Sequence, residues 1–143
     1  YVLDRGGRVR VVVQDPDSSG KEAVRAQLDD SLDFDKTLEN SITTLARMST
    51  WGNCRLRLLP FSPGFSMVVV NPGKANGYLI LELHGFRDEN IADRMHVRIS
   101  RSESLHWFDY WVARYQAMWE EAREFIPPLS TGLSPERRHD GAE

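Results

Sequence analysis

The chain has 143 residues, 41% of them hydrophobic, and a formal charge of -3, which supports one substantial core and leaves no room for a second domain. Acids and bases are interspersed, so there is no strong field to steer nucleic acid or anionic lipid, and no direct nucleic-acid binding is expected. The lone cysteine, Cys54, excludes an intrachain disulfide and a thiolate zinc cluster, and no run approaches the roughly 18 consecutive apolar residues of a membrane span.

These features predict a soluble, cytoplasmic chain with no membrane partner and no metal or other cofactor. Because it opens at Tyr1 and not at Met, the chain reads as a piece of a longer protein. Residues 1–126 are expected to form the domain and residues 127–143 a flexible tail or linker.

The run Arg8-Val-Arg-Val-Val-Val-Gln14 predicts a strand buried on both faces. Asp15-Pro-Asp-Ser-Ser-Gly20 then ends the strand with turn formers and capping side chains. From Lys21 to about Thr50 apolar residues recur at helical spacing, with a phase slip near Asp33, so two consecutive helices or one kinked helix are expected. Trp51-Gly-Asn53 stops them.

Cys54 to Pro60 alternates as a second strand, parallel to the first because a helical crossover separates the two. Cys54 itself reads as a small buried hydrophobe. Phe65 to Asn71 and Tyr78 to His84 predict an antiparallel pair joined by Pro72-Gly-Lys-Ala-Asn-Gly77, and Met95 to Ile99 a short fifth strand, all in one mixed sheet. Ser100-x-x-Glu103 has capping-box spacing and predicts a helix running to about Phe125, before Pro127-Pro128.

That closing helix carries two apolar stripes. Leu105, Phe108, Val112, Tyr115, Trp119 and Ala122 suffice to seat it on a sheet, while Trp107, Trp111, Met118 and Phe125 form a second set. Large aromatics left in water mark interfaces. The second set is therefore expected to meet a second copy or another domain of the parent protein, unless the remaining helices and strands enclose it.

The four histidines, His84, His96, His106 and His139, share no metal-ligand spacing. His84 and His96 would gain catalytic or metal-binding meaning only by meeting across adjacent strands. Asp15 and Asp17 flank Pro16 at the carboxyl end of the first strand, where open α/β sheets place ligands, but helix capping and turn formation account for them as well. Lys74 among the amides of Asn71 to Gly77 resembles a phosphate cradle and equally a common hairpin turn. Arg5, Arg8, Arg10, Arg55 and Arg57 read as charges that protect strand edges.

The order of elements resembles one half of the phospholipase D-like fold. The resemblance rests on a strand ending in Asp15-Pro16, a helical crossover, Arg55 to Phe61, the Val-rich stretch Phe65 to Asn71, and the Trp-rich helix Phe108 to Ala122. It implies a mixed α/β domain that pairs with a like half, closest to bacterial regulatory and sensor-associated members. Catalytic members carry His-x-Lys and a following Asp on the strand that begins here near Phe65. The matching positions read Phe65-Ser-Met67 and then Val68-Val-Val-Asn71, and neither a phenyl ring nor a thioether attacks or holds a phosphoryl group.

The expectation is thus a non-catalytic regulatory, ligand-sensing or dimerisation domain. Asp15, Phe65, Met67, Asn71 and Lys74 would line a site for a small anionic or nucleotide-like ligand. The alternative is a metal-dependent phosphodiesterase or nuclease that uses Asp15, Asp17 or His84.

Overall fold

A computed structural model describes residues 2–28, 33–87 and 94–126. A single 3-10 turn at Leu3–Arg5 precedes β1, Val9–Gln14, which leads through α1, Gly20–Arg25, and α2, Phe34–Ser49, into β2, Cys54–Leu59. Then come β3, Phe65–Val70, β4, Tyr78–Leu83, β5, His96–Ser100, the long α3, Leu105–Glu121, and the two-residue β6, Arg123–Glu124. The phase slip at Asp33 marks a helix start, because its side chain accepts a hydrogen bond from the Lys36 N–H and so caps α2.

The strands form two three-stranded sheets, β1-β2-β6 and β3-β4-β5, and not the one mixed sheet expected. In the first, β1 and β2 run parallel, with Val11 opposite Leu56 and Val13 opposite Leu58, as the crossover requires. β6 adds antiparallel to β2. The second sheet is an antiparallel meander, with Met67 opposite Leu81 and Leu81 opposite Val97. The result is a mixed α/β single-domain fold, in which α3 spans both sheets.

Near its start α3 sinks Phe108 into the second sheet, where that ring, Leu79 and Leu81 are buried together. Full burial of a ring of this size contributes roughly 1.5–3 kcal/mol. Near its end Trp119 is buried, and the guanidinium groups of Arg57 and Arg10 lie 4.7 and 5.1 Å from its ring centroid. Arg57 also donates to the Trp119 carbonyl at 2.6 Å. These two arginines therefore fasten α3 to the first sheet, beyond any protection of strand edges.

Further expectations are corrected by this packing. β1 is only half-buried along its length, with Arg10 exposed, because α2 packs chiefly on β2. No capping box forms at Ser100 to Glu103; the Glu103 and Ser104 amides both donate to the Ser100 carbonyl, and α3 begins one residue after Ser104. The helix stops at Glu121 and not near Phe125, since Ala122 turns extended and Arg123 and Glu124 pair with β2. Leu105, placed by spacing in the seated stripe, is 53% exposed. Cys54 is buried, and burial pushes its thiol pKa up, as befits a packing residue. Residues 127–143, expected to form a tail, lie outside the described residues.

Candidate functional site

Asp15, at the carboxyl end of β1, is buried and engaged on both oxygens. Arg123 donates to it from Nε at 2.6 Å and Nη2 at 3.0 Å, and the Asp17 N–H donates at 3.0 Å. The Arg123 hydrogen bonds, aided by the Asp17 amide and the Arg123 charge, outweigh desolvation and hold the carboxyl below its ordinary range. Asp15 thus forms a turn and latches β6 onto the first sheet. It does not cap α1, whose N-cap residue, Ser19, makes no side-chain capping bond. Asp17 is exposed, 3.8 Å from Arg123.

The other residues expected to line a ligand cleft are dispersed. Phe65 and Met67 pack toward α3, Phe65 edge-on to Trp111 with centroids 5.1 Å apart. Asn71 and Lys74 are exposed in the β3–β4 turn, where the Lys74 N–H donates to the Asn71 carbonyl and the Gly77 N–H to the Lys74 carbonyl. A Cβ at Gly77 would stand 2.7 Å from the Asn71 carbonyl oxygen and 3.1 Å from the Phe108 ring, so glycine there answers close packing. The hairpin account explains the turn.

A different constellation does converge. Alternation along the second sheet turns Phe65, Met67, Leu79, Leu81 and Val97 toward α3, and sends Ser66, Val68, Ile80, Glu82 and His96 to the opposite face. The register sets Glu82 directly between Ser66 on β3 and His96 on β5. Its carboxylate accepts from Arg94 Nη1 at 2.9 Å and lies 3.1 Å from His96 Nε2. His84, two residues on, brings Nε2 to 2.8 Å from the Ser66 hydroxyl and 3.7 Å from the carboxylate.

Desolvation pushes the Glu82 pKa upward, yet the Arg94 hydrogen bond and charge, the His96 hydrogen bond and the His84 charge together hold it below the ordinary carboxylate value. His84 and His96 do meet across strands, on either side of one carboxylate.

Beside this cluster lies a shallow groove of about 300 Å³, lined by Ser66, Met67, Val68, Ile80, Glu82 and His96. Its floor is apolar, with Val68 59% and Ile80 36% exposed, and its rim is polar. A second depression of about 280 Å³ lies between α1 and the loop Phe61–Gly64.

The cluster lacks the geometry of a Ser-His-acid relay. In such a relay the carboxylate orients the imidazole through the nitrogen opposite the nucleophile; here Glu82 approaches the same Nε2 that meets Ser66. Among the described residues, no group of three or more His, Cys, Asp or Glu side chains is arranged to hold a metal ion. What the arrangement offers is hydrogen-bond donors and an acceptor beside an exposed apolar floor.

Of the second stripe of α3, Trp107 is 54% exposed, while Trp111, Met118 and Phe125 are half-buried. Trp111 belongs to the packing of the second sheet. Among the described residues no helix is long and apolar enough to cross a membrane. Glu82 and Ser66 escaped the sequence reading, although Glu82-x-His84 on an alternating strand already places two polar groups on one face. Comparison with protein-family models, with curated proteins and with solved structures finds no match to this chain.

Proposed function

We propose that this chain is a non-catalytic ligand-sensing domain of a larger cytoplasmic protein, and that its ligand lies on the outer face of β3-β4-β5. One observation carries the reading. Polar side chains from three strands and the segment before β5 gather around Glu82 at the rim of a groove with an apolar floor. Small-molecule sites have this composition, apolar area for the body of the ligand and a few placed polar groups for orientation.

Val68 and Ile80 would take the face of a flat ring. The Ser66 hydroxyl and the His96 imidazole would meet anionic or hydrogen-bonding substituents, and Glu82, held in place by Arg94, would accept from an amino or hydroxyl group. A nucleotide-like molecule has that chemistry. On this reading the scaffold is a phospholipase D-like half whose nucleophile and phosphate-binding positions, Phe65 and Met67, have become packing residues.

Equilibrium dialysis against a panel of nucleotides and phospholipid headgroups tests the proposal. A nucleotide retained by the native chain and lost by His96→Ala and Val68→Glu is the expected result. Failure of every member to bind, or binding indifferent to both substitutions, would overturn it.

A further inference from the structure

We infer that β3 is an assembly edge, pairing antiparallel with β3 of a second copy across a two-fold axis to make a continuous six-stranded sheet. The inference goes beyond ligand sensing and does not depend on it.

The hydrogen-bonding pattern leaves this edge open. The His84 N–H donates to the Gly64 carbonyl, which fixes the even-numbered residues of β3 as those bonded to β4. Phe65, Met67 and Val69 therefore direct their backbone N–H and C=O groups away from β4, and among the described residues no strand pairs with them. Side-chain burial agrees. On β4 the inward Leu79 and Leu81 are 0% and 5% exposed, whereas Phe65, Met67 and Val69 are only half-buried.

Edge strands in natural proteins are shielded from pairing by charge, proline or shortness. β1 carries Arg10, β5 carries His96 and Arg98, and β6 has two residues, both charged. β3 reads Phe-Ser-Met-Val-Val-Val, without charge or proline and rich in β-branched residues.

Charge also selects the occupant. β1, β2, β4, β5 and β6 each contain a charged or imidazole side chain, so among the described residues β3 alone offers a charge-free strand to a charge-free edge. Self-pairing satisfies both partners at once, as an isologous contact does. With Val68 opposite its own copy, Ser66 faces Val70 of the other molecule and no like charges meet on the paired strands. Next to this edge, Phe65, Trp111, Tyr110 and Trp107 touch in sequence, with ring centroids 5.1, 5.4 and 5.8 Å apart. That row carries apolar surface from the strand onto the exposed flank of α3, enlarging the contact beyond two bare backbones.

Sedimentation velocity over a concentration series, with amide hydrogen exchange on the same samples, tests the inference. Val68 is the most exposed apolar residue of the strand, so Val68→Lys sets like charges face to face across the axis without entering the core. The native chain should sediment as a dimer with slow exchange at Met67 and Val69. Val68→Lys should sediment as a monomer with both amides exchanging fast and its melting curve cooperative. Substituting Trp111 would confuse assembly with folding, since it packs against the core; Trp107→Asp, on the exposed end of the row, should weaken the dimer less than Val68→Lys. A native chain that stays monomeric, or a dimer that survives Val68→Lys, overturns the inference.

Discussion

Asp15 and Glu82 are both carboxylates on strands, both paired with arginine and both held below the ordinary carboxylate range, yet their surroundings differ in kind. Asp15 meets one guanidinium in a two-pronged contact that joins distant parts of the chain, and Asp17 supplies the one further donor. Glu82 is shared by Arg94, His96 and His84, whose imidazole also reaches Ser66, beside open apolar surface. The first arrangement is saturated and structural in purpose; the second keeps exchangeable donors beside an exposed apolar surface. An ion pair marks a working site through what remains accessible around it, and a depressed pKa alone does not distinguish latch from site.

The largest effect should follow from breaking the latch. Asp15→Asn keeps the shape, removes the charge and leaves Arg123 without its main acceptor, so urea unfolding should show a loss of roughly 1.5–3 kcal/mol. A double-mutant cycle with Arg123→Ala sharpens the point: the two losses should be strongly non-additive, with a coupling of about 1 kcal/mol or more, because each change removes the same contact. Additive losses would mean that the latch holds nothing.

Acid separates the two carboxylates further. A folded-state pKa below the unfolded value means that stabilisation is complete above the unfolded carboxyl pKa of about 4 and is lost as pH falls through the folded value beneath it. Stability should therefore decline on the acid side of about pH 4. That decline should flatten more in Asp15→Asn than in Glu82→Gln, as measured by unfolding across a pH series, because both Asp15 oxygens meet the same guanidinium, whereas Glu82 divides its oxygens between Arg94 and His96. A smaller effect on folding is expected from Glu82→Gln, about 1 kcal/mol, because the amide keeps an acceptor for the largely buried Arg94 side chain and the half-exposed His96 ring can accept from its N–H; its further consequence should appear as lost ligand retention.

Much of the architecture was legible because local chemistry decided it. The Val-rich run before Asp15, the crossover, the break in helical phase near Asp33 and the hairpin turn at Asn71 to Gly77 each follow from residues near one another in sequence. The division into two sheets was not legible, because it depends on which edges meet after α3 has docked. Nor was β6: Arg123 and Glu124 continue a helical pattern, and it is pairing with β2 and the contact with Asp15, both far away in sequence, that hold Arg123 out of it. The same distance hid the Glu82 cluster. Polar residues two apart at Glu82 and His84, where β4 ends, and again at Arg94 and His96 predict polar faces, but the β4–β5 register that joins them is a tertiary fact. The expected lining residues do not converge because Phe65 and Met67 pack on the α3 side of β3, Met67 reaching the groove beside Glu82 only in part, while Asp15 lies at the end of β1 in the other sheet.

Chemical-shift mapping by NMR decides which of the two carboxylates has a ligand beside it. During titration with a nucleotide, progressive shifts are expected at the amides of Ser66, Glu82 and His96 and at the methyl groups of Val68 and Ile80, with Asp15 and Asp17 unmoved. Shifts gathered at Asp15 to Gly20, with the outer face of the second sheet silent, would contradict it.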